Sequence, residues 1–221
     1  MPRTARASAG GYCYHVINRG NARSRVFHKG GDYEAFLGLM AEASVRTPLR
    51  VLSYCLMPNH FHFAVWPLDD GDLSRWMQWL LTAHVRRYHR HNDSTGHVWQ
   101  GRFKAFPIQE EAHLVRVIRY IERNPLRSGL VDRAEKWRWS SLSRVNLPPT
   151  LSEGPVPITR GPAWNESVNA PMTEPEVAKI RESIRRNRPL GDDAWISQTA
   201  ATLGLESSLR APGRPRKAAV S

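Results

Sequence analysis

From Tyr12 to Ile17 the chain is apolar or aromatic at every position but His15, which reads as a strand, and the turn-forming run Asn18-Arg19-Gly20-Asn21 breaks it. The period then changes. Ala35, Phe36, Leu39, Met40 and Ala43 recur near helical spacing, behind Asp32 as N-cap and ahead of Pro48, which stops the helix. Two strands follow, Arg50 to Leu56 and His60 to Trp66, joined by Met57-Pro58-Asn59, a connection so short that the two are antiparallel neighbours. A second helix, from about Leu73 to His91, turns Trp76, Leu80 and Ala83 inward and ends in Arg86, Arg87 and Arg90, which suit the negative end of a helix dipole. Phe103 to Gln109 reads as a fourth strand. Leu114, Val117, Ile118 and Ile121 then mark the apolar stripe of a third helix, from about Glu111 to Arg123, with Pro125 ending it.

The order β-α-β-β-α-β-α in so short a chain predicts an α+β domain of ferredoxin-like (RRM-like) type, a mainly antiparallel sheet with packed helices, over residues 11–147. After Trp139-Ser140-Ser141 the pattern fades. Pro148, Pro149, Pro155, Pro157 and Pro162 fall where periodicity is weak, so residues 148–171 read as an irregular Pro-rich linker. A small helical extension over 172–209 follows: Thr173 and Glu176 form a capping box for a helix to about Arg186, and a shorter helix runs from Asp192 to Gly204. Residues 210–221 form a basic tail.

Charge narrows the partner. Lys and Arg number 32 against 20 Asp and Glu, giving +12 and a pI near 10.5, which points to a polyanion. No apolar run approaches the ~20 residues a membrane span needs, and the N-terminus lacks a signal-peptide pattern. Nucleic acid fits better, in the cytoplasm at the nucleoid. Cys13 and Cys55 lie far apart in apolar stretches, without a zinc-type spacing, and read as buried thiols.

The chemistry concentrates in Pro58-Asn59-His60-Phe61-His62-Phe63. Side chains alternate across a strand, so His60 and His62 share one face, where two imidazoles can hold a divalent ion or simply sit side by side at a sheet edge. A second constellation supports the first reading. In Arg119-Tyr120-Ile121-Glu122-Arg123-Asn124-Pro125, Tyr120 and Asn124 lie only ~40° apart at the border of core and solvent. Asn124 can offer a third oxygen ligand and Tyr120 a nucleophile, and Mg²⁺ or Mn²⁺ suits phosphate oxygens better than Zn²⁺ does. A phenol is a weak nucleophile at neutral pH, so a metal on the scissile phosphate compensates. In-line attack leaves a 5′-phosphotyrosine and a free 3′-hydroxyl, and the retained bond energy allows rejoining.

These residues resemble a known family. His60-Phe61-His62 matches the HUH signature. Tyr-Ile-Glu-x-Asn-Pro at 120–125, continued by Leu126-Arg127-Ser128-Gly129-Leu130-Val131, is similar to the single-tyrosine transposases, in particular the branch associated with repetitive extragenic palindromes (REP). His15-Val16-x-Asn18-Arg19-Gly20-Asn21 and Trp99-Gln100-Gly101-Arg102-Phe103 resemble the same branch, over about residues 11 to 145. The resemblance implies a ferredoxin-like catalytic domain, Tyr120 as nucleophile, and metal ligation by His60 and His62. Broader insertion-sequence transposases carry Gln four residues after the tyrosine, where this chain has Asn124.

Single-stranded DNA, as hairpins of palindromic repeats, is the expected partner, with a monomer or a homodimer as the acting form. Arg19, Asn59, Gln100, Arg102 and Lys104 are the candidate contacts in the domain, with Phe103 and Phe106 beside them for base stacking. In the tail, Arg214, Arg216 and Lys217 surround Pro215 as in a minor-groove-entering Arg-Pro-Arg segment, which makes them an accessory contact or a solvated basic end. Relaxases, in many of which the tyrosine precedes the histidines, fit the order of residues less well. A domesticated DNA-binding protein or repressor of the same fold, without catalysis, is the alternative.

Overall fold

The computed structural model describes residues 8–143 and 158–210. Four strands, β1 (Cys13–Arg19), β2 (Leu49–Met57), β3 (His60–Pro67) and β4 (Lys104–Ile108), form one antiparallel sheet in the order β2-β3-β1-β4. With α1 (Gly30–Arg46) after β1 and α2 (Asp72–Asn92) after β3, this is the ferredoxin-like α+β topology expected from the sequence.

The two sheet faces have different duties. One carries Tyr14, Val16, Tyr54, Leu56, Phe61, Phe63 and Val65, all buried, against Phe36 and Met40 of α1 and Leu73, Trp76 and Leu80 of α2. The other carries Cys13, Cys55, Met57, Ala64 and Ile108 against Leu114, Val117, Ile118 and Ile121 of α3 (Ala112–Arg127). Burial pushes the Cys13 thiol up to about 12 and Cys55 well above its ordinary value, so both are protonated at neutral pH.

Several elements depart in detail from the sequence expectation. Asp32 is the third residue of α1 rather than its N-cap; its carboxylate reaches back to accept from the backbone N–H groups of His28 (2.8 Å) and Lys29 (3.1 Å). In α2 the inward position falls on His84, with Ala83 only half-buried. Pro125 does not end α3. It removes only the bond to Ile121, close to the natural end, and the helix closes two residues later, where Gly129 takes a left-handed φ of 68° and Ser128 N–H bonds Asn124 C=O.

The expected irregular linker contains a helix, α4 (Pro162–Asn169), because proline at a first helical position fits a helix instead of breaking it. Arg119 and Arg123 of α3 donate to its last carbonyls, Arg119 to Ser167 and Ala170, Arg123 to Val168 and Asn169. Beneath it lies a buried carboxylate. Glu122, wholly buried, accepts from Ser141 (2.7 Å), Arg160 (2.9 Å) and Trp164 Nε1 (2.7 Å), which ties the segment after residue 158 to α3.

The remaining helices, α5 (Glu174–Arg186) and α6 (Asp193–Leu203), start and stop as their caps predict, at Thr173/Glu176, Asp192 and Gly204. They pack on the domain. Val177, Ile180 and Leu190 join the α3 core, and Leu190 exchanges backbone hydrogen bonds with Pro107 and Gln109, covering the free edge of β4.

Candidate active site

β1 and β3 bring the chemistry together. Their register pairs Arg19 with His60 and Ile17 with His62, so His15, Arg19, His60 and His62 all emerge on the α3 face. His60 and His62 have ring centroids 5.1 Å apart, which confirms the shared face expected from alternation. The hairpin tip is clamped: Pro58 C=O accepts from Val26 and Phe27, and Asn59 C=O accepts from Gly20 at 2.7 Å. Gly20 is required here, because a Cβ would lie 2.2 Å from the Ser24 carbonyl oxygen.

Each imidazole has its Nδ1 occupied. His60 Nδ1 lies 2.7 Å from Asn59 Oδ1, and Asn59 Nδ2 donates to the Arg23 carbonyl at 3.1 Å. Since a carbonyl can only accept, that contact assigns the amide orientation and makes His60 Nδ1 a donor, which leaves its Nε2 with a lone pair. His62 Nδ1 lies 2.9 Å from His15 Nε2, with the two rings stacked at 23°. Burial is the main cause that lowers His60 to about 4 and His15 to about 3; it also holds His62 well below the ordinary histidine range, with the neighbouring His15 and His60 adding to it. The rings are therefore neutral at pH 7, the state a metal ligand needs.

Tyr120 of α3 stands behind this pair, its ring centroid 5.9 Å from that of His62 and 6.1 Å from that of His15. Rather than at a wet boundary it is buried, at 4 % exposure. Its hydroxyl accepts from Arg127 at 3.3 Å, and the same guanidinium donates to Asn124 Oδ1 at 2.6 Å. Asn124 is wholly buried; among the described residues no hydrogen bond or ring contact joins it to His60 or His62.

A cleft of about 420 Å³ opens over the histidines. Arg19, Asn59, His60, His62, Gln100, Arg102 and Lys104 all line it, so the structure gathers the two expected histidine ligands and the domain's expected DNA contacts around one space, while Asn124 lies outside its lining. Arg23 adds a fourth cation, and among the described residues no carboxylate lines the cleft, whose charge therefore suits phosphate. Arg19 donates twice to Gln100 Oε1, at 3.1 and 2.8 Å, fixing the 98–102 loop against β1. Tyr120 lines a separate cavity of about 200 Å³, with Arg123, Arg127, Met172 and Arg181. Phe103 and Phe106 are buried, so neither offers a stacking face: Phe103 joins the core on the α1/α2 side, while Phe106, on the same strand face as Lys104, packs edge-on against His15. Arg214, Arg216 and Lys217 lie outside the described residues.

Sequence reasoning missed His15 and Arg127 as members of the site. Both had a signal: His15 alternates with Ile17 and Arg19 on one strand face, and Arg127 lies seven residues after Tyr120 and three after Asn124, on the same helix flank. Ile184, which brings α5 to the cleft wall, had none.

Residues 9–124 match the model of the family described as "Transposase IS200 like". The chain is 24% identical over 138 residues to a REP-associated tyrosine transposase of Escherichia coli (strain K12), covering 61% of this chain and 78% of that protein. It is 25% identical over 107 residues to a putative REP-associated tyrosine transposase of Haemophilus influenzae, covering 44% and 61%. A solved structure of a REP-associated tyrosine transposase bound to a REP hairpin superposes with a TM-score of 0.51 at 21% identity, over 73% of this chain and 97% of that one. That likeness supports the fold.

Proposed function

Because this chain belongs to the IS200-like transposases, a family of DNA-processing proteins, we propose that it cuts and rejoins single-stranded DNA at hairpins of palindromic repeats, with Tyr120 as nucleophile and Mg²⁺ or Mn²⁺ as cofactor. The observation that carries this reading is the pair His60 and His62, neutral and with both Nδ1 atoms occupied, set in a basic cleft lined by no carboxylate among the described residues, with the Tyr120 ring against His62. The solved relative bound to a REP hairpin supports the choice of substrate.

His60 and His62, joined by Asn124, are the residues that would hold the metal, which supplies Lewis acidity at the scissile phosphate. Arg19, Arg23, Arg102 and Lys104 bind the neighbouring phosphates and fix the strand in the cleft. The Tyr120 oxygen forms a bond to phosphorus as the bond from phosphorus to the 3′ oxygen breaks. The phenolic proton passes to solvent, and the departing 3′ oxygen takes one up. Arg127 is placed to donate to the phenolic oxygen while it is charged. A 3′-hydroxyl attacking the phosphotyrosine reverses the step and joins the strand.

A DNA-binding protein that does not cut is the second reading, favoured by the burial of Tyr120 and by its place outside the cleft walls. Under the first reading the phenol must turn toward the cleft when DNA binds. Labelled single-stranded hairpins carrying genomic palindromes, incubated with Mg²⁺, Mn²⁺ or EDTA, separate the two. Metal-dependent nicking that His62→Ala removes supports the transposase; tight binding without nicking in any metal supports the second reading.

A further inference from the structure

Neither the family's metal pair nor its tyrosine accounts for a third histidine in the site. His15 is buried beneath the cleft, and an apolar side chain could fill the same space in the core. Its geometry is that of a specific partner instead. Nε2 points at His62 Nδ1 across 2.9 Å, the rings stack with centroids 5.1 Å apart, and Phe106 and Tyr120 close on the His15 ring edge-on at 6.0 and 6.1 Å. The ring is held in place by its neighbours on β3, β4 and α3.

We propose that His15 is a positioning residue: its Nε2 accepts the Nδ1–H of His62 and so keeps the Nε2 lone pair of His62 available to the divalent cation. The inference rests on the metal-site reading above. A neutral imidazole carries one N–H, so the single hydrogen between His15 and His62 has two placements. If His15 donates, His62 has its proton on Nε2 and has no lone pair to give at that atom. If His62 donates, Nε2 is a ligand. The second placement is the one His60 already adopts, because Asn59 Oδ1 can only accept. His15 thus does for His62 what Asn59 does for His60, and the two metal candidates present the same nitrogen. Metal-binding histidines generally depend on such a partner for orientation and basicity, and its loss costs ~10–100-fold in affinity.

The test uses the full chain. Nitrogen-15 NMR of the Mg²⁺-loaded protein reads the His62 tautomer, and Mn²⁺ titration reads affinity in wild type, His15→Phe, His15→Gln and His62→Ala. The proposal expects His62 protonated at Nδ1. It also expects Mn²⁺ binding weakened by ~10–100-fold in H15F and restored to within a few-fold in H15Q, whose amide oxygen stands near the position of Nε2. A buried filler would be served better by Phe than by Gln. Protonation of His62 at Nε2 in the Mg²⁺-loaded protein, or Mn²⁺ affinity in H15F equal to wild type, overturns the inference. Should H15F not fold, the tautomer and H15Q decide. Equal Mn²⁺ affinity in wild type and H62A would instead overturn the metal site itself, and the inference with it.

Discussion

Arg127 donates to the Tyr120 hydroxyl at 3.3 Å while its guanidinium carbon lies 4.9 Å from the centre of the same ring. The side chain therefore grips the phenol at both face and oxygen, and its 2.6 Å bond to Asn124 couples the proposed nucleophile to the third candidate ligand. One cation serves two members of the site.

Arg127→Ala should accordingly slow strand cleavage without weakening DNA binding in proportion. Removing one donor to a developing anion costs about 10²–10³-fold in rate in other enzymes, and a loss of that order is expected in single-turnover cleavage at saturating hairpin. Wild-type cleavage in the variant would reduce Arg127 to a packing contact.

Arg102 and Lys104 are exposed at the cleft and pair with no carboxylate among the described residues. Arg102→Ala with Lys104→Ala should lower affinity for single strands and flatten its dependence on salt by roughly 1.4 in slope, at ~0.7 per lost phosphate contact. Affinity measured across a salt series checks this, and an unchanged slope would place the strand elsewhere.

Glu122→Ala would break the 2.9 Å ion pair between Glu122 and the largely buried Arg160 guanidinium. Breaking a buried pair from one side costs about 3–5 kcal/mol, so a large drop in the urea midpoint is expected. Glu122→Ala with Arg160→Met should recover part of it.

His15 and His84 are buried with values lowered to about 3 and about 4, chiefly by desolvation. Their folded values lie below the unfolded ~6.5, so the unfolded chain binds more protons between those limits. Stability is full above pH ~6.5 and falls with acid down toward pH 4, each histidine contributing about 1.4 kcal/mol per pH unit in that window. Denaturation midpoints from pH 8 to 4.5 read the slope; His84→Phe should make it shallower.

Much of this was legible in the sequence because strands repeat every two residues and helices every 3.6. His60 and His62 on one face, the hairpin at Pro58-Asn59 and the antiparallel pairing of β2 with β3 all follow from that. What stayed hidden depends on partners distant in sequence. Nothing local shows that Glu122 is neutralised by Arg160, or that His15 meets His62 across 47 residues rather than serving as a core residue. The burial of Phe103 and Phe106 was hidden because both faces of the sheet are covered, one by α1 and α2 and the other by α3, and no local pattern shows that second cover. The helix at Pro162 was missed because proline marks both linkers and helix starts.

The central claim is that Tyr120 forms the covalent bond to DNA, and mass spectrometry of the adduct tests it most directly. Full-length protein incubated with a single-stranded palindromic hairpin and Mn²⁺, then digested, should yield one modified peptide, with a nucleotide 5′-phosphate on Tyr120. Tyr120→Phe should give none while folding and binding as wild type. An adduct on another residue, or undiminished cleavage by Tyr120→Phe, would contradict the account.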